Sequence, residues 1–123
     1  MLKELRTILI VDDSVLILER LVHILKKSVP NGNIIPAGTY AEAIGILENS
    51  PIDLALLDIH LQEQNGIDLL RVVKKRYPHV PVIILTNQSS KKVEEVCMSI
   101  GASYFLDKSR DFARIPELVP MLI

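Results

Sequence analysis

The chain has 123 residues, 49% of them apolar and 24% charged, with a formal net charge of −1. That composition suits a single folded domain over residues 1–123, large enough to bury a core without staples, and excludes a disordered chain. It carries no long Lys/Arg run, so it lacks the electrostatic footprint of a direct nucleic-acid binder. The single cysteine, Cys97, excludes an internal disulfide and suits a reducing cytoplasm. Apolar runs such as "ILIV" and "VIIL" are far shorter than the roughly 20 residues that span a bilayer, and the opening "MLKELRTILIV" has too short an apolar stretch for a signal peptide. The expectation is a cytoplasmic protein with no membrane contact.

Short apolar runs alternate with amphipathic stretches along the chain, the mark of βα units and a parallel sheet. Thr7–Val11 is a continuous β-branched run, as expected of a strand covered on both faces. Asp12, Asp13 and Ser14 then supply a helix start, and Leu18, Leu21, Val22 and Leu25 share one helical face until Pro30–Gly32 stops it. Ile34–Ala37 is a second strand. Its Pro36 cannot donate to a ladder, which puts this strand at an edge. A helix capped by Thr39 runs to about Asn49, and Pro51 closes it. Leu54–Asp58 is the third strand and Gly66–Tyr77 the third helix, with Asn65–Gly66 read as a turn before it. Val82–Thr86 is the fourth strand. Val93, Val96, Cys97 and Ile100 mark one apolar face of the fourth helix, with Gly101 as its C-cap, and Cys97 is read as core packing. Tyr104–Asp107 is the fifth strand. Ile115, Leu118, Val119 and Leu122 have helical spacing and Pro116 suits a first turn, but Pro120 breaks the pattern, so the last helix should be short or kinked. His23 and His79 read as surface residues.

Five strands alternating with five helices predict a flavodoxin-like, doubly wound α/β fold with sheet order 2-1-3-4-5. Its ligand site lies beyond the carboxyl ends of the strands. There the chain places Asp12 and Asp13, Asp58, Thr86 and, past the fifth strand, Lys108. Taken singly these are ordinary residues: Asp12 or Asp13 can cap a helix, and a strand-end Asp58 or a solvated Lys108 carries little signal. Together they form a problem of charge. Two unit charges about 4 Å apart interact by roughly 4 kcal/mol at an effective dielectric near 20, so three gathered carboxylates need cations. Lys108 is one, and a divalent metal would supply the rest. Mg²⁺ takes oxygen ligands and commonly pairs one or two carboxylates with a phosphate. The set therefore suits phosphoryl transfer, with Asp58 as the nucleophile and Lys108 offsetting charge on the phosphoryl oxygens.

The segments "ILIVDDS" (Ile8–Ser14), "AGTYAEAI" (Ala37–Ile44), "DLALLDIHLQEQNGIDLLR" (Asp53–Arg71), "VPVIILT" (Val80–Thr86) and "GASYFLDK" (Gly101–Lys108), in this order and at these intervals, resemble the receiver domain of bacterial two-component response regulators. The resemblance covers essentially the whole chain. It implies that Asp58 accepts a phosphoryl group from a sensor histidine kinase, a phosphotransfer protein or a small acyl-phosphate donor. It implies Mg²⁺, or Mn²⁺ in its place, bound by Asp13, by Asp12 through water, by Asp58 and by the main-chain carbonyl of His60. Lys108 and Thr86 would each contact a phosphoryl oxygen. Thr86 and Phe105, rather than Tyr104, would form the switch that alters the surface of helix four, strand five and helix five. A phosphorylation-dependent homodimer belongs to the same set of expectations.

Three residues depart from the family pattern. Gln62 replaces a common proline, which suggests a looser loop after the third strand. Ser109 stands where a proline in a cis peptide is usual, so the bond after Lys108 is either trans with a rerouted loop or kept cis by local contacts. Pro120 alters the last helix, part of the usual output face. His60 and Gln88 occupy positions that tune hydrolysis in the family.

The leading expectation is a switch that turns over no outside substrate, only its own aspartyl phosphate. If the chain is whole, it acts through protein contacts alone, like single-domain chemotaxis-type regulators; if it is an excerpt of a larger regulator, the output lies elsewhere. The alternatives are an interaction module that keeps the fold without phosphate signalling, and a phosphohydrolase that would use the same carboxylates.

Overall fold

The computed structural model describes residues 5–62, 64–87 and 89–123. Five strands, β1 (Arg6–Val11), β2 (Gly32–Ala37), β3 (Leu54–Leu57), β4 (Val82–Thr86) and β5 (Tyr104–Asp107), form one parallel sheet in the order β2-β1-β3-β4-β5. Between and after them run α1 (Val15–Ser28), α2 (Tyr40–Asn49), α3 (Gly66–Arg76), α4 (Lys91–Ile100) and α5 (Ile115–Leu122), with a 3-10 turn at Phe112–Arg114 leading into α5. This is the predicted doubly wound fold. Pro36 lies in edge strand β2 opposite Ile10, where its missing N–H leaves the sheet interior intact.

Each strand divides its residues between two cores, as side chains alternate across a sheet. Leu9, Val11, Ala55, Leu57, Val82 and Ile84 face α2, α3 and α4 and pack with Leu47, Leu69, Leu70, Val73 and Cys97. Ile8, Ile10, Leu54, Leu56, Ile83 and Leu85 face α1 and α5 and pack with Leu21, Leu25, Ile115 and Val119. Every residue of β3 and β4 is buried, which is why those runs read as unbroken apolar sequence. Each fully buried Leu or Ile contributes about 1.5–3 kcal/mol, so the two cores supply most of the driving force.

The helix ends follow local chemistry. Ser14, Thr39, Asn65 and Ser90 cap α1, α2, α3 and α4, each accepting a main-chain N–H from the first turn. Asn65 is thus a cap and not only a turn residue. Gly101 ends α4 at φ +127°, a conformation that L side chains rarely adopt. Helix α5 is short, as expected. Pro120 lacks the N–H that would meet Pro116, and it stands on the exposed side of the helix.

The third strand ends one residue earlier than predicted. The β1–β3 register closes at Val11–Leu57, and the Asp58 amide makes the last bond of that ladder, to Val11 O at 2.9 Å. Among the described residues no peptide bond is cis. The Lys108–Ser109 bond is therefore trans and the loop takes another route, described below.

Candidate functional site

The carboxyl ends of β1, β3, β4 and β5 meet at one rim. Main-chain bonds fix where each functional residue leaves its strand. The Asp12 amide donates to Ala37 O at 3.1 Å and the Lys108 amide to Thr86 O at 3.0 Å, so each is still tied to a neighbouring strand as it turns out of the sheet. The order β1-β3-β4 puts Asp58 between the residues that follow β1 and those that end β4.

Asp12, Asp13 and Asp58 each offer a carboxylate oxygen, and these three atoms lie within 4.8 Å of one another. Asp12 and Asp58 are buried, at 2% and 5% exposure, while Asp13 is exposed. Lys108 reaches into the cluster. Its Nζ lies 2.5 Å from Asp12 Oδ2 and 2.9 Å from Asp58 Oδ2. The remaining oxygens are also satisfied: Asp12 Oδ1 accepts the Ser14 amide at 2.9 Å, and Asp58 Oδ1 accepts the His60 amide at 3.0 Å. An acid is tolerated at the end of buried β3 because a buried charge persists when it is paired and hydrogen-bonded. It also separates two roles open in the sequence. Ser14 caps α1, and Asp12 is left to face the lysine.

Burial pushes the Asp12 carboxyl above its ordinary range, against the pull of the Lys108 hydrogen bond and the Ser14 amide. For Lys108, burial works downward, but the bonds and charges of Asp12 and Asp58 outweigh it and raise the ammonium above its usual value. The lysine is therefore a fixed cation. Three carboxylates against one ammonium leave the rim negative, and this group of carboxylate oxygens could hold a metal ion such as Mg²⁺, which takes oxygen ligands.

Thr86 is fully buried at the end of β4. Phe105 is half-buried on β5 and packs against the core shared with α2, α3 and α4, whereas Tyr104 packs against the core on the opposite face. Strand alternation puts Thr86 and Phe105 on the same side of the sheet. His60 is exposed at the lip and forms an antiparallel bridge with Asn65, which closes the loop that contains Gln62. Gln88 and Glu63 lie outside the described residues. His23 and His79 are exposed and Cys97 is fully buried, as read from sequence.

Two features escaped the sequence reading. Gly66 is more than half of a turn: a Cβ there would stand 2.2 Å from Asp58 O and 2.5 Å from Ile59 Cα. The start of α3 touches the main chain of the acidic loop, and only glycine fits. Asp107, which reads as a plain strand end, organises the turn after Lys108. Its Oδ1 accepts the amides of Ser109 and Arg110 at 2.8 and 3.2 Å. This Asp–Lys–Ser turn replaces the cis-proline route. Its signal was present in the sequence, because aspartate commonly bonds the amide two residues on.

An open parallel α/β sheet with an acid–lysine cluster at its carboxyl rim defines the class. The family model described as "Response regulator receiver domain" matches residues 8–120, and the chain belongs to that family. It is similar to a response regulator receiver domain protein (CheY-like) from Methanospirillum hungatei, with 29% identity and TM-score 0.88 over 96% of this chain and 93% of that one. It is similar to a chain of the CheX–CheY–BeF₃–Mg complex from Borrelia burgdorferi, with 28% identity and TM-score 0.84 over 96% of this chain and 90% of that one. Against the response regulator protein PilR of Pseudomonas aeruginosa it is 36% identical over 78 residues, which are 63% of this chain and 18% of PilR. The chain thus spans under a fifth of that relative.

Among the described residues no helix is long and apolar enough to cross a membrane.

Proposed function

We propose that the chain is a phosphorylation-dependent switch of a two-component system, with Asp58 as the phosphoacceptor. The observation that carries the reading is the convergence of the Asp12, Asp13 and Asp58 carboxylates, two of which, Asp12 and Asp58, share the Lys108 ammonium. An Asp58 carboxylate oxygen attacks phosphorus, and the bond from phosphorus to the donor breaks. The donor is a phosphohistidine of a sensor kinase or phosphotransfer protein, or a small acyl phosphate. With a phosphohistidine, the leaving imidazole keeps the electron pair and takes a proton from water. Asp12, Asp13, Asp58 and the main-chain carbonyl of His60 would hold Mg²⁺, which when bound offsets charge on the phosphoryl oxygens. The Borrelia complex contains BeF₃ and Mg²⁺ together with its similar chain, which supports that choice of metal for this site.

Lys108 stands ready to leave one carboxylate for a phosphoryl oxygen, and the Thr86 hydroxyl would take another. Phe105, on the same side of the sheet, would follow Thr86 inward and alter the surface of α4, β5 and α5, where a protein partner reads the change. Water later hydrolyses the acyl phosphate and restores Asp58, so no outside substrate is turned over. The setting is the cytoplasm.

The test is intact mass after incubation with acetyl phosphate and Mg²⁺, comparing the native chain with Asp58→Asn. A labile gain of one phosphoryl group, dependent on Mg²⁺ and missing in the variant, is expected. No gain, where a control receiver is labelled, would leave a phosphate-independent interaction module as the better reading.

A further inference from the structure

Asp107 ends β5 opposite Thr86. Its carboxylate is used on two sides. Oδ1 accepts the Ser109 amide at 2.8 Å, the Ser109 hydroxyl at 2.5 Å and the Arg110 amide at 3.2 Å. Oδ2 accepts the hydroxyl of Ser89, which directly precedes Ser90, the cap of α4. The main chain closes the same knot. The Asp107 amide donates to Asp111 Oδ2 at 2.9 Å, and the Asp111 amide donates to Asp107 O at 2.8 Å. Lys108 sits between these ties, its own amide bound to Thr86 O. Asp107 is only 8% exposed, so its charge-assisted bonds are sheltered from water.

We infer that Asp107 is a positioning residue for the phosphoryl site: it fixes the turn that carries Lys108 and straps that turn, through Ser89, to the head of α4. The inference rests on the reading of Asp58 as phosphoacceptor. A phosphoryl group arriving there draws the ammonium of Lys108 toward new oxygens. The turn beneath the lysine is bonded at Ser109, Arg110 and Asp111 and resists local deformation. The displacement passes instead through the Asp107 carboxylate to Ser89 and the first turn of α4. This route runs beside the one through Thr86 and Phe105. The Ser109 and Ser89 hydroxyls and the Ser109 amide also keep the Asp107 carboxyl well below the usual carboxylate range, so the strap keeps its charge near neutral pH.

The experiment compares native protein with Ser89→Ala, Ser89→Thr and Asp107→Asn. Two quantities are measured: the amide ¹H–¹⁵N spectrum without phosphate, and the rate of phosphorylation by acetyl phosphate with Mg²⁺ across donor concentrations. Ser89→Ala should move the amide signals of Lys108 and Ser109, though these lie on a different loop. It should lower the maximal rate about threefold with the half-saturating donor concentration unchanged, as expected when a preorganised group is loosened and donor binding is not. Asp107→Asn, which weakens the tie to the lysine turn as well, should lower the rate about tenfold. Ser89→Thr, which keeps the hydroxyl, should restore native values, a rescue that general destabilisation does not explain.

Spectral changes in Ser89→Ala confined to its immediate neighbours, together with native rates, would overturn the strap. If the native chain is not phosphorylated at all, the phosphoacceptor reading fails, and the Lys108 amide in Ser89→Ala still decides whether the strap exists. If Asp107→Asn does not fold, the two Ser89 variants carry the test.

Discussion

Replacing Lys108 with methionine keeps the length and apolar stem of the side chain and removes its charge. Lys108 has two partners, Asp12 Oδ2 at 2.5 Å and Asp58 Oδ2 at 2.9 Å, and all three side chains are at most 9% exposed. Two unit charges about 4 Å apart attract by about 4 kcal/mol at an effective dielectric near 20. The variant loses two such attractions, but it no longer has an ammonium to desolvate. What it cannot escape is the pair of buried carboxylates left facing each other, with Asp13 beside them. Breaking a buried pair from one side costs about 3–5 kcal/mol, and the doubled partnership puts the expected loss near the middle, about 4 kcal/mol.

The assay is urea unfolding at neutral pH, once in chelator and once with saturating Mg²⁺. In chelator the midpoint of Lys108→Met should fall with little change in slope. In Mg²⁺ the variant should regain about half of the loss, because a divalent cation enters a site from which a competing ammonium has gone, and a ligand that binds only the folded state stabilises it by mass action. A loss below about 1 kcal/mol, the range of an exposed salt bridge, would refute the argument that these charges are buried and interdependent. Equal stabilisation of both proteins by Mg²⁺ would refute the argument that lysine and metal neutralise the same carboxylates.

Gly66→Ala puts a methyl carbon 2.2 Å from Asp58 O, so the main chain must move; urea unfolding should show a loss of about 1–3 kcal/mol and Mg²⁺ should stabilise the variant less than the native chain. The depressed Asp107 carboxyl means that the unfolded chain binds the proton more readily than the folded one, so its contribution is complete above 3.8 and is lost as pH falls below that value. The stability gap between native protein and Asp107→Asn should therefore narrow progressively as the pH falls below about 4, and a gap that widens there would contradict the assignment. Cys97 is fully buried, and burial raises its thiol above the usual range. A thiol reagent should label it no faster than the chain unfolds, and labelling that outpaces unfolding would place it at the surface.

Much of this arrangement is legible in the one-dimensional pattern. Val82–Thr86 and Tyr104–Asp107 emerge from the sequence with the bounds the structure gives them, because a strand inside a parallel sheet has nearly every residue apolar and the first polar residue marks where that run stops. Pro36 names its own strand as an edge, and Pro120 foretells a short last helix, because proline acts through a missing N–H that needs no tertiary context. The positions of Asp12, Asp13, Asp58, Thr86 and Lys108 at one rim follow from strand order alone. Asp58 itself reads as the last residue of a strand that in fact stops at Leu57, an error of one residue that is set by where β1 ends its pairing.

The sequence by itself determined which residues are apolar, where the chain must turn, and which charged groups reach the carboxyl edge, since those depend on local periodicity and on the rules of parallel connection. Only the tertiary structure decided which partner each charge takes. Lys108 bonds Asp12 as well as Asp58, Ser14 and not Asp12 caps α1, and Asp107 reaches back to Ser89 across a separation of 18 residues. The close approach of Gly66 to the Asp58 main chain belongs to the same group. Hydrogen bonds and steric contacts depend on distances of tenths of an ångström between segments remote in sequence, and no periodicity along one segment encodes them.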